Sequence, residues 1–108
     1  MIYIRTYAYN AEKTLARTIE SVLNQTYKEF RYYLLDNGAT DGTREIIRKY
    51  AEKDSRIVPF YCEVNYDYSK NREFWDLPRN IDDKDYFCII DADDTYEPVF
   101  FEEMLRFL

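Results

Sequence analysis

Apolar and polar residues along this chain fall into short runs that switch between a period near two and a period near 3.6. Ile2-Tyr3-Ile4 begins a first predicted strand, with Arg5-Thr6-Tyr7 at its carboxyl end. From Asn10 or Ala11 onward, Leu15, Ile19, Val22 and Leu23 recur at spacings of four, three and one. That is one face of an amphipathic helix, ending near Asn24, and it reads as purely structural. Phe30-Arg31-Tyr32-Tyr33-Leu34-Leu35 predicts a second strand, which delivers Asp36 to its end. Residues 37–43 are a loop by composition and hold the only two glycines of the chain, Gly38 and Gly42. Ile46, Ile47 and Tyr50 then form the stripe of a second helix. Residues 56–61 predict a third strand, placed at a sheet edge by Pro59.

From Glu63 to Lys84 the pattern dissolves into Tyr, Asn, Asp and Arg, with Phe74, Trp75 and Leu77 suggesting a short helical turn before Pro78. Tyr86-Phe87-Cys88-Ile89-Ile90 then predicts a buried strand that runs directly into Asp91, Asp93 and Asp94. Pro98 opens a last helical segment carrying Val99, Phe100, Met104, Phe107 and Leu108. Strands alternating with helices at this spacing predict an α/β fold: a doubly wound, mainly parallel sheet of about four strands flanked by helices. In such sheets ligands bind outside the carboxyl ends of the strands, where strand order reverses. With the first strand central, the second and third on one side and the fourth on the other, the ends carrying Thr6, Asp36 and Asp91 converge on one crevice.

Adjacent carboxylates at a strand end repel one another unless a cation or a set of donors sits between them. A hard divalent ion suits them, because magnesium and its relatives take oxygen ligands and share them with phosphates. A solvated acidic turn is the plainer reading, and the convergence of three strand ends favours the ion over it. A helix-loop-helix calcium site also puts acids or oxygens at Asp91, Asp93, Thr95, Glu97 and Glu102, but it requires glycine where this chain has Tyr96. The residues before Asp91 also read as strand rather than helix.

Composition narrows the chemistry further. The chain has 108 residues, 46% apolar and 33% charged, which fits one soluble globular domain. A net charge of -6 with no dense Lys/Arg cluster argues against a nucleic-acid partner. Two cysteines and no histidine exclude zinc sites and Ser-His-Asp or Cys-His nucleophiles, so metal chemistry must use oxygen. Cys62 and Cys88 sit in apolar runs and are expected to be buried reduced thiols, as in a cytoplasmic chain. Apolar runs of about five residues fall far short of the roughly 20 needed to span a membrane.

Four stretches together resemble glycosyltransferase family 2: Thr6-Tyr7-Ala8-Tyr9-Asn10, then residues 21–27 (SVLNQTY), then residues 35–43 (LDNGATDGT), then Asp91-Ala92-Asp93-Asp94. The likeness runs from Tyr3 to Pro98 and concerns the nucleotide-binding half of that family. It implies a Rossmann-like GT-A fold, with residues 1–108 as a single nucleotide-sugar-binding domain that uses Mn2+ or Mg2+ and transfers the sugar with inversion. By position it implies that Thr6 and Tyr9 line the base, that Asp36 bonds the base edge and that Asn37 lies on the donor side. Asp91 would meet the ribose or the metal, and Asp93 would be the principal metal ligand. The implied partners are a nucleotide-sugar donor, foremost a UDP-sugar, and a sugar or glycan acceptor.

The chain departs from the family pattern at Arg5, where proline is usual, and Tyr7-Ala8 lengthens the first motif by one residue. Ser69-Lys70-Asn71 resembles the family's loop beyond the third strand, although the stretch from there to Tyr86 is longer than usual. The family's acceptor half and its catalytic carboxylate lie beyond the metal motif. The resemblance therefore implies truncation before that half and a base beyond Leu108; the expected location is cytoplasmic, with membrane association an open alternative for the full-length protein. A base within these residues would come from Glu63, Asp67, Glu73 or Asp76. Two rival functions are a non-catalytic nucleotide-binding or regulatory module of the same fold and a phosphoacceptor signalling domain. The latter wants an acidic pair after its first strand, where this chain has Arg5, Thr6 and Tyr7.

Overall fold

Strand β1, Ile2–Ala8, lies inside a sheet whose described pairings are all parallel. The computed structural model describes residues 1–63 and 84–106. After β1 come α1 (Leu15–Leu23), β2 (Phe30–Asn37), α2 (Thr43–Lys53), β3 (Ile57–Cys62), β4 (Tyr86–Ile89) and α3 (Phe100–Arg106). The sheet order is β3-β2-β1-β4, so the direction of winding reverses at β1, as the strand-end argument predicts. Pro59 does lie on an edge strand of this sheet.

Strand alternation explains which residues meet the helices. Ile2 and Ile4 of β1, and Phe30, Tyr32 and Leu34 of β2, share one core with Leu15, Ile19 and Val22 of α1, Ile47 of α2 and Phe101 of α3. Burying each large aliphatic or aromatic side chain contributes about 1.5–3 kcal/mol before chain entropy is set against it. The opposite face carries a row of rings, with Tyr3 6.4 Å from Tyr33 and Tyr33 6.5 Å from Phe60.

Several boundaries differ from the sequence reading. β1 continues to Ala8, which places Thr6 inside the strand rather than at its mouth. α1 begins at Leu15, not at Asn10 or Ala11: Asn10 has φ +48°, a left-handed conformation that cannot start a right-handed helix, and residues 12–14 form a turn, closed by the Thr14 amide on the Ala11 carbonyl, ahead of it. β4 is not buried throughout: Phe87 and Ile89 are 39% and 57% exposed on the face away from the helices. In α3 the buried ring is Phe101, while Val99 and Phe100 are exposed, since Val99 precedes the helix and Phe101, Met104 and Leu105 form its inner stripe. Cys62 and Cys88 are thiols, half-buried rather than fully buried, and burial raises the pKa of each. The β3–β4 crossover that would complete a double winding lies outside the described residues. So do the Phe74-Trp75-Leu77 turn, Ser69-Lys70-Asn71, the candidate bases Asp67, Glu73 and Asp76, and Phe107 and Leu108.

Candidate functional site

Between the carboxyl ends of β1 and β4, where strand order reverses, a cleft of about 370 Å³ opens. Tyr7, Tyr9, Asn10 and Ala11 line it from the end of β1, Thr14 from the approach to α1, and Ala92 and Asp93 from the acidic turn after β4. A second hollow of about 420 Å³ sits at the other end of the sheet, beside Phe30 and Arg56. Its Arg56 is already paired with Asp54 at 2.7 Å.

The acidic turn brings one oxygen each from Asp91, Asp93 and Asp94 within 4.8 Å of one another, all exposed. Among the described residues, no cationic side chain or hydrogen-bond donor engages these three carboxylates. The Asp94 amide donates to the Asp91 carbonyl at 3.1 Å and closes the turn. Three oxygen donors converging at a strand end fit a hard divalent cation, and among the described residues no cysteine joins the group. A calcium loop does not fit, because strand β4 rather than a helix leads into Asp91.

What holds this turn is the polar side of α1 and its flanks. Thr14 and Thr18 both donate their hydroxyls to the carbonyl of Ala92, at 2.9 and 3.0 Å. The Ser21 hydroxyl accepts the Tyr96 amide at 3.2 Å and donates to the Thr18 carbonyl at 2.7 Å. The Gln25 amide group donates to the Glu97 carbonyl at 2.6 Å and accepts the Phe101 amide at 3.0 Å. Thr26 adds a backbone bond to the Pro98 carbonyl at 2.9 Å. The sequence reading took this helix as structural from its apolar stripe. The missed signal is a second stripe, Thr14, Thr18, Ser21 and Gln25, at spacings of four, three and four.

The opposite wall is stitched between two loops. Asn10 Oδ1 accepts the Thr40 amide at 2.8 Å, the Thr43 hydroxyl accepts the Ala11 amide at 2.8 Å, and Glu12 accepts the Gly42 amide at 2.9 Å. Asparagine tolerates the left-handed backbone this requires at position 10, and Gly38 takes φ +74° in the turn after β2. Burial alone would raise the Asp41 carboxyl. The Thr43 hydroxyl and amide, with the Glu12 amide, instead hold it below the usual carboxylate range.

Of the positions implied by resemblance, Tyr9, Asp91 and Asp93 reach the surface at or beside the cleft. Thr6, Asp36 and Asn37 do not, and lie buried behind it. The Thr6 hydroxyl donates to the Ile90 carbonyl at 2.8 Å and accepts from the Tyr32 phenol at 2.7 Å, tying β1 to both neighbours. Burial drives that phenol well above its ordinary pKa. Asp36 Oδ1 accepts the Ala39 amide at 2.9 Å, and Oδ2 accepts Arg44 Nε at 2.6 Å. Arg44 also donates to the Cys62 carbonyl at 2.6 Å, and its bond to Asp36 raises its pKa above the usual arginine value. Thr6 and Asp36, expected to meet a base, are thus engaged within the protein, and β1 and β2 extend past both residues. Tyr7, Asn10 and Thr14 line the cleft beside Tyr9 and Asp93.

Compared with known proteins, residues 4–108 match the family model described as Glycosyl transferase family 2. An uncharacterized glycosyltransferase of Methanocaldococcus jannaschii is 36% identical over 98 residues, which is 90% of this chain and 33% of that protein. S. aureus TarS in complex with UDP superposes with a TM-score of 0.80 at 20% identity, over 98% of this chain and 31% of that one. A Pyrobaculum calidifontis mannosyltransferase in complex with GDP-Man and Mn2+ gives a TM-score of 0.65 at 19% identity, over 88% of this chain and 28% of that one. The chain thus spans about a third of the length of these proteins, and the two solved structures share its fold.

Proposed function

The chain belongs to glycosyltransferase family 2, and from that premise we propose that it forms the nucleotide-sugar donor half of a metal-dependent, inverting glycosyltransferase of GT-A fold. The observation that carries this reading is the trio of carboxylates, without a counter-charge among the described residues, beside a cleft at the reversal of strand order. Asp93 and Asp91 would hold Mn2+ or Mg2+, which supplies charge neutralisation on the departing diphosphate. Tyr9 would offer its exposed ring to the base. Asp36 and Asn37 would brace the donor wall from behind, and Thr6 would lock β1 to β2 and β4.

The ligands bound by the neighbours, UDP in one and GDP-Man with Mn2+ in the other, support this assignment and name the nucleotides to test first. We place the acceptor-binding half and the catalytic base outside these 108 residues, in keeping with the fraction of its relatives that the chain spans. Among the described residues, no helix is long and apolar enough to cross a membrane.

Calorimetric titration of UDP and GDP with Mn2+ and in excess chelator tests the proposal. Removing the cation is expected to weaken binding at least tenfold, and Asp93→Ala should abolish most of that difference while Asp94→Ala costs less. Equal affinity in chelator would reject the metal assignment.

A further inference from the structure

We propose that Thr18 is a positioning residue which, acting through the carbonyl of Ala92, sets the placement of Asp91 and Asp93 and so the affinity of the acidic turn for a divalent cation. This rests on the donor-site reading above. Ala92 is the residue between the two carboxylates, and its carbonyl oxygen receives two hydroxyl hydrogens, from Thr14 at 2.9 Å and Thr18 at 3.0 Å. Both acceptor lone pairs of that oxygen are thereby used. Rotating the peptide that joins Ala92 to Asp93 would break both bonds, and it would swing the Asp93 side chain with it.

Such a restraint is needed at this point. Three carboxylates whose oxygens lie within 4.8 Å of one another repel, and an unrestrained turn would relax by spreading them. Apart from the two threonine hydroxyls, the one backbone bond inside the turn is that from the Asp94 amide to the Asp91 carbonyl. Thr18 is fully buried and does not line the cleft, unlike Thr14, so it touches no ligand itself, and its hydroxyl reaches the acidic turn at the Ala92 carbonyl. A helical threonine usually bonds back to the carbonyl four residues earlier. Here that contact, to Thr14, is 3.4 Å, longer than the one to Ala92.

The test titrates Mn2+ alone into the parent chain and its Thr18→Val, Thr18→Ser and Asp93→Ala variants, following free Mn2+ by electron paramagnetic resonance where circular dichroism shows each folded. Thr18→Val should raise the Kd about three- to tenfold, the loss expected of one neutral hydrogen bond. Thr18→Ser should restore parental affinity. Without metal, exchange of the Asp94 amide, which bonds to the Asp91 carbonyl, should be faster in Thr18→Val, a change that lost stability elsewhere would not confine to this turn. If valine prevents folding, Thr18→Ala carries the same expectation. Loss of Mn2+ binding in Asp93→Ala, with parental affinity and exchange in Thr18→Val, overturns the positioning role alone. Parental Mn2+ affinity in Asp93→Ala overturns the metal reading and this inference with it.

Discussion

Replacing Arg44 by methionine keeps most of the side-chain stem and removes the guanidinium from a carboxylate that is 0% exposed. The lost contacts are Nε to Asp36 at 2.6 Å, Nη2 to the Cys62 carbonyl at 2.6 Å and the guanidinium over the Tyr61 ring at 5.5 Å. The 3.9 Å approach to Glu63 contributes little, because Glu63 is 89% exposed. Removing one partner of a buried ion pair costs about 3–5 kcal/mol. Arg44 itself is 30% exposed, so water can enter behind it, and Asp36 keeps the Ala39 amide. The expected cost is therefore about 3 kcal/mol, at the low end of that range. With a urea slope of about 1–3 kcal/mol/M, the unfolding midpoint should fall by about 1–3 M. In an Asp36→Asn background, where no charge is stranded, the same substitution should cost only about 1 kcal/mol. A cost below about 1 kcal/mol for Arg44→Met, or an equal cost in both backgrounds, would refute the claim that the guanidinium offsets the burial of Asp36.

Phe101, fully buried and edge-on to Phe30 at 6.0 Å and to Tyr96 at 5.5 Å, should cost about 3–5 kcal/mol when changed to alanine, and exposed Phe100 clearly less. Chemical denaturation of both variants checks this, and equal losses would put the inner stripe of α3 in the wrong phase. At acid pH two carboxyls among the described residues matter. Asp54 is held below the usual range first by the hydrogen bond from Arg56, and Asp41 by the Thr43 and Glu12 donors that outweigh its burial. Both titrate lower in the folded chain than the ~3.9 of an unfolded Asp, so their stabilisation is complete above about pH 5 and is lost as pH falls through the folded values. Asp41→Asn should flatten the acid limb of stability against pH, and a limb identical to the parent's would remove Asp41 from the account.

The order of strands and helices was legible because the period changes cleanly at each boundary and Pro59 and the acidic strand ends fix the sheet. What failed was depth. Tyr3, Tyr7 and Tyr9 in β1 and beyond accept either a buried or a wet face, so the strand's true end, two residues past Thr6, left no mark in the pattern. Val99-Phe100-Phe101 offers three consecutive apolar residues ahead of a seven-residue helix, too short for its phase to be read from spacing. The partner of Asp36 sits eight positions on, near the start of α2, and becomes visible only once that start is known. The polar stripe of α1 was fully present in the sequence, but its partners lie 72 to 78 positions away and no local rule points to them.

Those separations also order the assembly of the cleft in time. The wall stitched by Asn10 with Thr40 and Ala11 with Thr43 closes loops of 30 and 32 residues, all contained in the first half of the chain. The acidic wall must wait until β4 has returned to β1 and residues 92–101 can dock on α1, a closure more than twice as long. Loop entropy alone adds only about 0.6 kcal/mol per doubling of length, but contacts of such range are formed late, because their reward comes after the intervening chain is in place. During synthesis one wall can therefore be ordered while the other is still unmade. Closure of the acidic turn then follows the pairing of β4 with β1.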